Sequence, residues 1–197
     1  MRDLKGMILQ LIDVKKMKYI LFKVMLIFGS LAFANEHNKA LREFKTLAEK
    51  GDLNAQIELA NAYRQGIGVS QDYKKAVKWF TLAAQQGDAK AQYNLGVMHS
   101  FGLGVVPDYE PAVKWYTLAA KQGNALAQYN LARLYYLGQG VSENIIYSHM
   151  WAKQASSNGF GMGQKLTELL NELMNATQIE EANLLGRECL KNKFRGC

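Results

Sequence analysis

The sequence predicts an all-α fold, an α/α solenoid of stacked helix-turn-helix repeats. The 197-residue chain repeats itself with a period of 36 residues, as shown by "AQIELANAYRQGIGV", "AQYNLGVMHSFGLGV" and "AQYNLARLYYLGQGV". Within each repeat, small and apolar residues recur at helical spacing. A glycine turn interrupts every repeat, so each forms two helices and must stack on its neighbours to bury its apolar side.

Residues 1–34 have the layout of a secretory signal peptide. From Met17, "MKYILFKVMLIFGSLAFA" begins with basic residues, continues as an apolar run, and carries Ala32 and Ala34 at cleavage spacing. The run is shorter than the ~20 residues that span a bilayer. The sequence predicts cleavage after Ala34, a periplasmic or secreted protein and no stable membrane insertion, with an uncleaved anchor as the alternative. Residues 1–16 do not belong to this layout, so Met17 is the alternative to Met1 as the start.

The net charge of +7 is concentrated in the predicted signal peptide. Six of the 24 Lys and Arg residues and two of the 17 Asp and Glu residues lie there, which leaves 18 basic and 15 acidic residues. The remaining net charge of +3 includes no strong basic block. Together with export, this balance argues against nucleic acid as a partner.

Residues 35–50 are expected to form an N-terminal capping helix, because "ALREFKTLAEKG" matches the second half of a repeat. Three repeats follow at 51–86, 87–122 and 123–158. Residues 159–197 predict a degenerate repeat and a C-terminal capping helix. Thr177 and Glu180 are expected to form the capping box of that last helix.

Each repeat is expected to contain two capped helices. The expected N-caps are Asp52, Asp88 and Asn124 for the first helices and Asp72, Asp108 and Asn144 for the second helices. The expected helix-ending glycines are Gly66, Gly102 and Gly138 for the first helices and Gly87, Gly123 and Gly159 for the second. The expected packing residues of the middle repeat are Ala91, Leu95, Met98, His99, Ala112, Val113, Tyr116, Leu118 and Ala119.

The two cysteines, Cys189 and Cys197, lie near the end of a chain that is predicted to be exported. An intramolecular disulfide is expected in an oxidising compartment, and two free thiols are the alternative. The three histidines, His37, His99 and His149, are far apart in sequence and predict no metal site. We therefore expect no cofactor.

The recurring glycines and tryptophans have structural interpretations. Glycine pairs such as Gly102 and Gly104 follow a helix, whereas a dinucleotide-binding fingerprint needs a strand before its glycines. Trp79, Trp115 and Trp151, one per repeat, are expected to pack between stacked helices. The chain has no Ser-x-x-Lys or Gly-x-Ser-x-Gly motif, so no catalytic residue is assigned.

The run "AQYNLGVMHSFGLGVVPDYEPAVKWYTLAAKQG" resembles the Sel1-like repeat, a relative of the tetratricopeptide repeat. Ala, Leu, Gly-x-Gly-Val, Asp-Tyr, Ala and Trp recur in register over residues 40–159. The resemblance implies an α/α solenoid whose first helices line a concave face, and a role in binding other proteins. Bacterial members are often exported.

One cysteine-rich branch of this family is described as binding or hydrolysing penicillin-type compounds. Its cysteine pairs have seven residues between them, as Cys189 and Cys197 do. The resemblance therefore implies a disulfide and suggests a β-lactamase or penicillin-binding protein as the alternative function. In this chain the pair occurs once, at the end, and not in each repeat.

Four positions of the first helix vary between repeats while their neighbours stay fixed. Offsets of three, four and seven residues place them on one stripe, which we call the variable stripe. The stripe lies away from the packing side and is expected to be exposed, with a merely solvated face as the alternative. The predicted partner-binding residues on it are Glu58, Asn61, Lys90, Tyr93, Asn94, Val97, Leu126, Tyr129, Asn130 and Arg133.

Tyr93, Tyr129 and Arg133 are the expected anchors on this stripe, because aromatic and guanidinium groups dominate binding hot spots. The sequence thus predicts an exported, non-enzymatic scaffold or adaptor that binds a protein or peptide on the concave face. An adaptor that clamps two proteins at once is a further alternative. The pattern specifies neither the partner nor the oligomeric state.

Overall fold

The computed structural model describes residues 34–194, and side chains from residue 41 onward. These residues form helices and no strand. The helices are α1 (Ala34–Glu49), α2 (Leu53–Gln65), α3 (Tyr73–Gln85), α4 (Ala89–Phe101), α5 (Tyr109–Lys121), α6 (Ala125–Leu137), α7 (Ile145–Ser157), α8 (Gly161–Leu173) and α9 (Ala176–Lys191). No helix within this range is long and apolar enough to cross a membrane.

The chain divides into two compact units at residues 72 and 73. In the first unit α1 packs against α2. In the second unit consecutive helices from α3 to α8 pack on one another, and α9 packs on α7. The pairing of helices and the 36-residue period confirm the predicted all-α solenoid of helix-turn-helix repeats. The predicted signal peptide lies outside the described residues except for Ala34, so its cleavage stays a prediction.

The predicted helix caps are confirmed at five positions. Oδ1 of Asp52, Asp88 and Asn124 accepts the N–H three residues later, at 3.0, 2.7 and 2.9 Å, and so begins α2, α4 and α6. Asn144 begins α7 in the same way and accepts the Tyr147 N–H at 3.0 Å. Asp108 begins α5 by accepting the Glu110 N–H, two residues later, at 2.9 Å. The glycines after α2, α4 and α6 have left-handed backbones, as a helix-ending residue requires.

The predicted capping box of the last helix was placed at the wrong residues. Asn175 is the N-cap of α9, and its Oδ1 accepts the Gln178 N–H at 3.0 Å. The Gln178 side chain in turn accepts the Asn175 N–H at 3.0 Å. Both Asn-x-x-Gln and Thr-x-x-Glu satisfy the capping rule, and the helix already includes Thr177.

Buried glutamines connect each second helix to the first helix of the next repeat. Gln56, Gln92 and Gln128 are buried at equivalent positions. Each donates Nε2 to the carbonyl oxygen eight residues earlier, at 3.0, 3.2 and 3.0 Å. Their acceptors are Ala48, Ala84 and Ala120. The recurring Ala-Gln pair of the sequence is therefore a structural joint, a role that the sequence analysis missed.

The glutamines of the second and third repeats are also satisfied on their oxygen atoms. Oε1 of Gln92 accepts a hydrogen bond from Gln122 Nε2 at 2.8 Å. Oε1 of Gln128 accepts one from Asn158 Nδ2, also at 2.8 Å. A buried amide with partners on both ends stabilises one packing arrangement of the helices over its alternatives.

Most of the expected packing residues are buried. Trp79 and Trp151 are buried, and Trp151 stacks on Phe194 with ring centroids 5.3 Å apart. Trp115 is half-buried. The prediction for Leu118 was wrong, because this residue is 46% exposed on the outer side of α5. The buried members of the middle repeat are Ala91, Leu95, Met98, Ala112, Tyr116 and Ala119, and the half-buried ones are His99 and Val113.

The glycine turns of the second and third repeats pack against the second helix of the preceding repeat. Gly104 has a φ of +78°, and a β-carbon there would overlap the carbonyl group of Tyr73 at the start of α3. Gly140 has a φ of +70° and stands in the same relation to Tyr109 at the start of α5. Glycine is required at both places for its backbone conformation and for its lack of a side chain.

Cys189 is fully buried in α9. Cys197 lies outside the described residues, so the pairing of the two cysteines stays a prediction.

Candidate interaction surface

Gly96 allows a tyrosine to lie directly against the backbone of α4. A β-carbon at this position would lie 2.5 Å from two ring atoms of Tyr116 in α5. The other two repeats have Ala60 and Ala132 here. Tyr116 is buried, and its ring centroid lies 6.0 Å from that of Tyr93. Burial raises the pKa of Tyr116 to about 12, so its hydroxyl stays protonated and can donate.

The Tyr116 side chain lines a cleft between α4, α5 and α6. We call it the α4–α6 cleft, and all of it lies in the second unit. Its lining residues are Ser100, Phe101, Tyr109, Tyr116, Asn130, Arg133, Leu134, Leu137 and Gln139. Its lining therefore combines polar and apolar side chains, as the linings of ligand-binding clefts do.

The polar lining residues of the cleft include several hydrogen-bond donors. Ser100 Oγ donates to the Gly96 carbonyl at 2.8 Å and lies 3.5 Å from the Tyr116 hydroxyl. Asn130 interacts with the same hydroxyl, which partly opposes the rise in the pKa of Tyr116. Arg133 is exposed, and within residues 41–194 no acceptor or carboxylate pairs with its guanidinium group. No acidic residue lines the cleft.

Two apolar lining residues of the cleft are members of a row of exposed residues. Phe101, Leu137 and Leu173 are the last residues of α4, α6 and α8, spaced 36 residues apart, and are 71%, 48% and 53% exposed. This row was not predicted from the sequence. The sequence signal for this row is that the first helix ends on a large apolar residue in three successive repeats.

The structure places none of the ten predicted stripe residues in the core. Lys90, Leu126 and Arg133 are exposed. The half-buried ones are Glu58, Asn61, Tyr93, Asn94, Val97, Tyr129 and Asn130. Only Asn130 and Arg133 line the α4–α6 cleft. Whether these residues bind a partner stays a prediction.

Several stripe residues have contacts within the protein. The Tyr129 ring meets Phe160 edge-on, with centroids 5.1 Å apart. Asn94 Nδ2 donates to the Lys90 carbonyl one turn earlier, at 2.9 Å. The two predicted tyrosine anchors thus already pack against neighbouring aromatic rings, whereas Arg133 has no such contact among the described residues.

Two buried polar residues in α7 depart from the repeat pattern. Ser148 and His149 are buried where the middle repeat has Ala112 and Val113. His149 Nε2 lies 2.9 Å from Asn171 Oδ1, while its Nδ1 and the Ser148 hydroxyl find no hydrogen-bond partner in the described part of the chain. Burial lowers the pKa of His149, and the bond to Asn171 partly opposes this shift. No group of metal-binding side chains occurs among the described residues.

The repeat family of the chain is decided by three consecutive matches. The Sel1 repeat matches residues 53–88, 89–124 and 125–160, more than half of the sequence. The chain belongs to the Sel1 repeat family. Sel1 repeat proteins are generally protein-interaction modules, and the family is typically non-enzymatic. The matched segments begin two residues after the repeats as drawn from the sequence, with the same period.

Two solved structures resemble this Sel1 repeat protein. A Sel1 repeat protein from Oxalobacter formigenes is 35% identical, with a TM-score of 0.60, over 65% of this chain and 96% of that chain. A protective antigen present in uropathogenic Escherichia coli strains, with an SLR fold, is 28% identical with a TM-score of 0.60. That match covers 91% of this chain but 46% of the antigen, so the chain spans less than half of its length. No curated protein matches the chain.

Proposed function

We propose that this Sel1 repeat protein is an exported, non-enzymatic scaffold that binds a protein or peptide on the face formed by its first helices. The α4–α6 cleft is the centre of the proposed surface, and the stripe residues of α4 and α6 extend it. Family membership supports the general role in protein interaction.

The observation that carries this proposal is the exposure of Phe101 and Leu137 beside the unpaired Arg133. Exposed apolar residues next to an unpaired arginine are typical anchors of protein interfaces. All three side chains are exposed, whereas the hydrogen bonds that join successive repeats come from the buried Gln92 and Gln128. Stacking alone therefore does not account for them.

Two further stripe residues extend the surface beyond the cleft. Lys90 begins the exposed side of α4, and Leu126 holds the equivalent position in α6. A partner that lies across successive first helices would contact the cleft and these residues together. Repeat proteins commonly bind in this way, along an extended surface made of many similar units.

A capture experiment tests the proposal. The full chain with a C-terminal affinity tag is expressed in its organism of origin, and bound envelope proteins are identified by mass spectrometry. Arg133→Glu combined with Leu137→Ser should abolish capture, because it reverses the charge and removes the apolar wall. Tyr129 stays unchanged, because its ring packs on Phe160.

The matched control combines Lys114→Glu with Leu118→Ser on the outer side of α5. Both residues are exposed, and Leu118 is about as exposed as Leu137. Helical geometry places them on the side of α5 opposite to Tyr109 and Tyr116. The control should capture normally with unchanged helicity. Normal capture by the cleft variant would show that the surface is elsewhere.

A further inference from the structure

The α4–α6 cleft has a chemistry that occurs only once in the array. Tyr116 and Arg133 correspond to Phe80 and Val97 one repeat earlier, and to Ala152 and Leu169 one repeat later. The hydroxyl and the guanidinium group are therefore combined only between the second and third repeats. Stacking is common to all repeats and does not explain why these two groups occur together.

The charge of the cleft selects an anion. Arg133 is its one ionisable side chain at neutral pH, and no carboxylate lines it. The Tyr116 hydroxyl and the Asn130 amide add neutral donors. Such a group of donors favours a carboxylate, with which arginine forms paired, charge-assisted hydrogen bonds.

The spacing of Arg133 and Leu137 on α6 limits how that carboxylate is presented. Arg133 and Leu137 lie four residues apart on α6, so their side chains are neighbours about 5–6 Å apart at the β-carbons. Phe101 of α4 adds a second large apolar side chain to the lining. A ligand must therefore present an anion and an apolar group within a few ångströms of each other.

The last residue of a peptide meets this requirement. Its α-carboxylate and its side chain are attached to one carbon atom, and no chain has to continue beyond the cleft. An internal Asp or Glu has its apolar neighbours on separate residues, and its main chain must leave in two directions. We infer that the α4–α6 cleft binds the free C-terminal carboxylate of a partner that ends in an apolar residue, with Arg133 on the carboxylate and Phe101 and Leu137 on the side chain. This inference rests on the proposed function and names the chemistry of its partner.

A display library with random residues at a free C-terminus provides the probe. The library is selected on the purified full chain, and the most enriched peptide is synthesised as the free acid and as its C-terminal amide. Dissociation constants are then measured by titration calorimetry. We expect an apolar last residue, and a loss of roughly tenfold or more on amidation, the size of a charge-assisted hydrogen bond.

Two variants assign the contact to the cleft residues. Arg133→Gln should weaken binding of the acid roughly tenfold or more and leave the amide nearly unchanged. Tyr116→Phe should cause a smaller loss, about two- to tenfold, and should fold normally because Phe80 occupies this position in the first repeat. Lys114→Gln, on the other side of α5, should leave both constants unchanged and serves as the control.

Equal affinity for acid and amide, enrichment of an internal acidic motif, or no enrichment at all would each overturn the inference. If envelope capture still depends on Arg133 and Leu137 in that case, the proposed function stands and only its ligand chemistry is wrong. If capture is also independent of these residues, the proposed function fails as well.

Discussion

Gln128 and Arg133 lie five residues apart on α6, yet they differ in burial, in hydrogen bonding and in whether they recur between repeats. Gln128 is fully buried, has bonds at both ends, and is the same residue in all three repeats. Arg133 is exposed, has no partner among the described residues, and replaces Asn and Val of the earlier repeats. Positions that remain the same across repeats indicate how the repeats stack, and positions that differ indicate where a partner can be selected.

The largest loss of stability should come from changing a turn glycine that packs against the preceding repeat. Gly140→Ala should lower the free energy of unfolding by about 2–4 kcal/mol, because it combines a strained backbone with overlap on the Tyr109 carbonyl. Gly123→Ala is the control, since Gly123 also has a positive φ but has no atom near its missing β-carbon. It should cost about 1 kcal/mol. Equal losses in urea unfolding would contradict the packing of the turn.

Gly96→Ala tests the point where the interior and the cleft meet. The new methyl group must displace Tyr116, which we expect to cost about 1–3 kcal/mol despite the better helix propensity of alanine. Adding Tyr116→Ala reproduces the Ala132 and Ala152 pair of the third repeat and should relieve the strain. A double-mutant cycle by urea unfolding should give a coupling of about 1 kcal/mol or more, and simple additivity would refute the contact.

Gln128→Leu examines the joint between the second and third repeats. It leaves the Ala120 carbonyl and the Asn158 amide without their buried partner, so we expect a loss of about 1–3 kcal/mol in thermal or urea unfolding. Gln85→Leu at an exposed position should change stability by no more than about 0.5 kcal/mol. Unchanged stability of the Gln128→Leu variant would mean that apolar packing alone holds the joint.

The smallest expected effect is a pH dependence of stability. It arises in α7, where Ser148 and His149 form a buried polar pair. Burial lowers the pKa of His149, so the unfolded chain binds a proton more readily than the folded chain. Stability should therefore be highest above the unfolded pKa of about 6.5 and fall as the pH decreases through the lowered folded value.

His149→Val restores the residue type of the other repeats and should flatten this profile. Burial also lowers the pKa of His99, so a weaker slope of the same sign should remain. Urea midpoints measured between pH 5 and pH 8 decide the matter. An unchanged slope in the variant would show that His149 does not titrate differently on folding.

The helix pairs could be predicted because their signals are local. An N-cap such as Asp88 and a turn glycine such as Gly102 act within a few residues of themselves, and the period repeats them three times. The capping box failed for the same reason, since Asn175 and Thr177 both satisfy a local rule.

The cleft could not be predicted, because it depends on contacts between three helices. Nothing near Gly96 in sequence shows that it makes room for Tyr116, twenty residues away. Phe101 and Leu137 were not recognised because an apolar residue near a helix end is ordinarily assigned to packing. The variable stripe was a useful first approximation, since two of its residues, Asn130 and Arg133, do line the cleft.

The packing of Gly104 on Tyr73, and of Gly140 on Tyr109, has a consequence for protein engineering. The segment that packs as one block is offset from the sequence repeat, because these two turns fit onto the second helix of the preceding repeat. A transplantable cassette should therefore run from the start of one second helix through the glycine turn of the next repeat. At the corresponding position 176 the chain has alanine, at the start of α9, so added cassettes belong before this point.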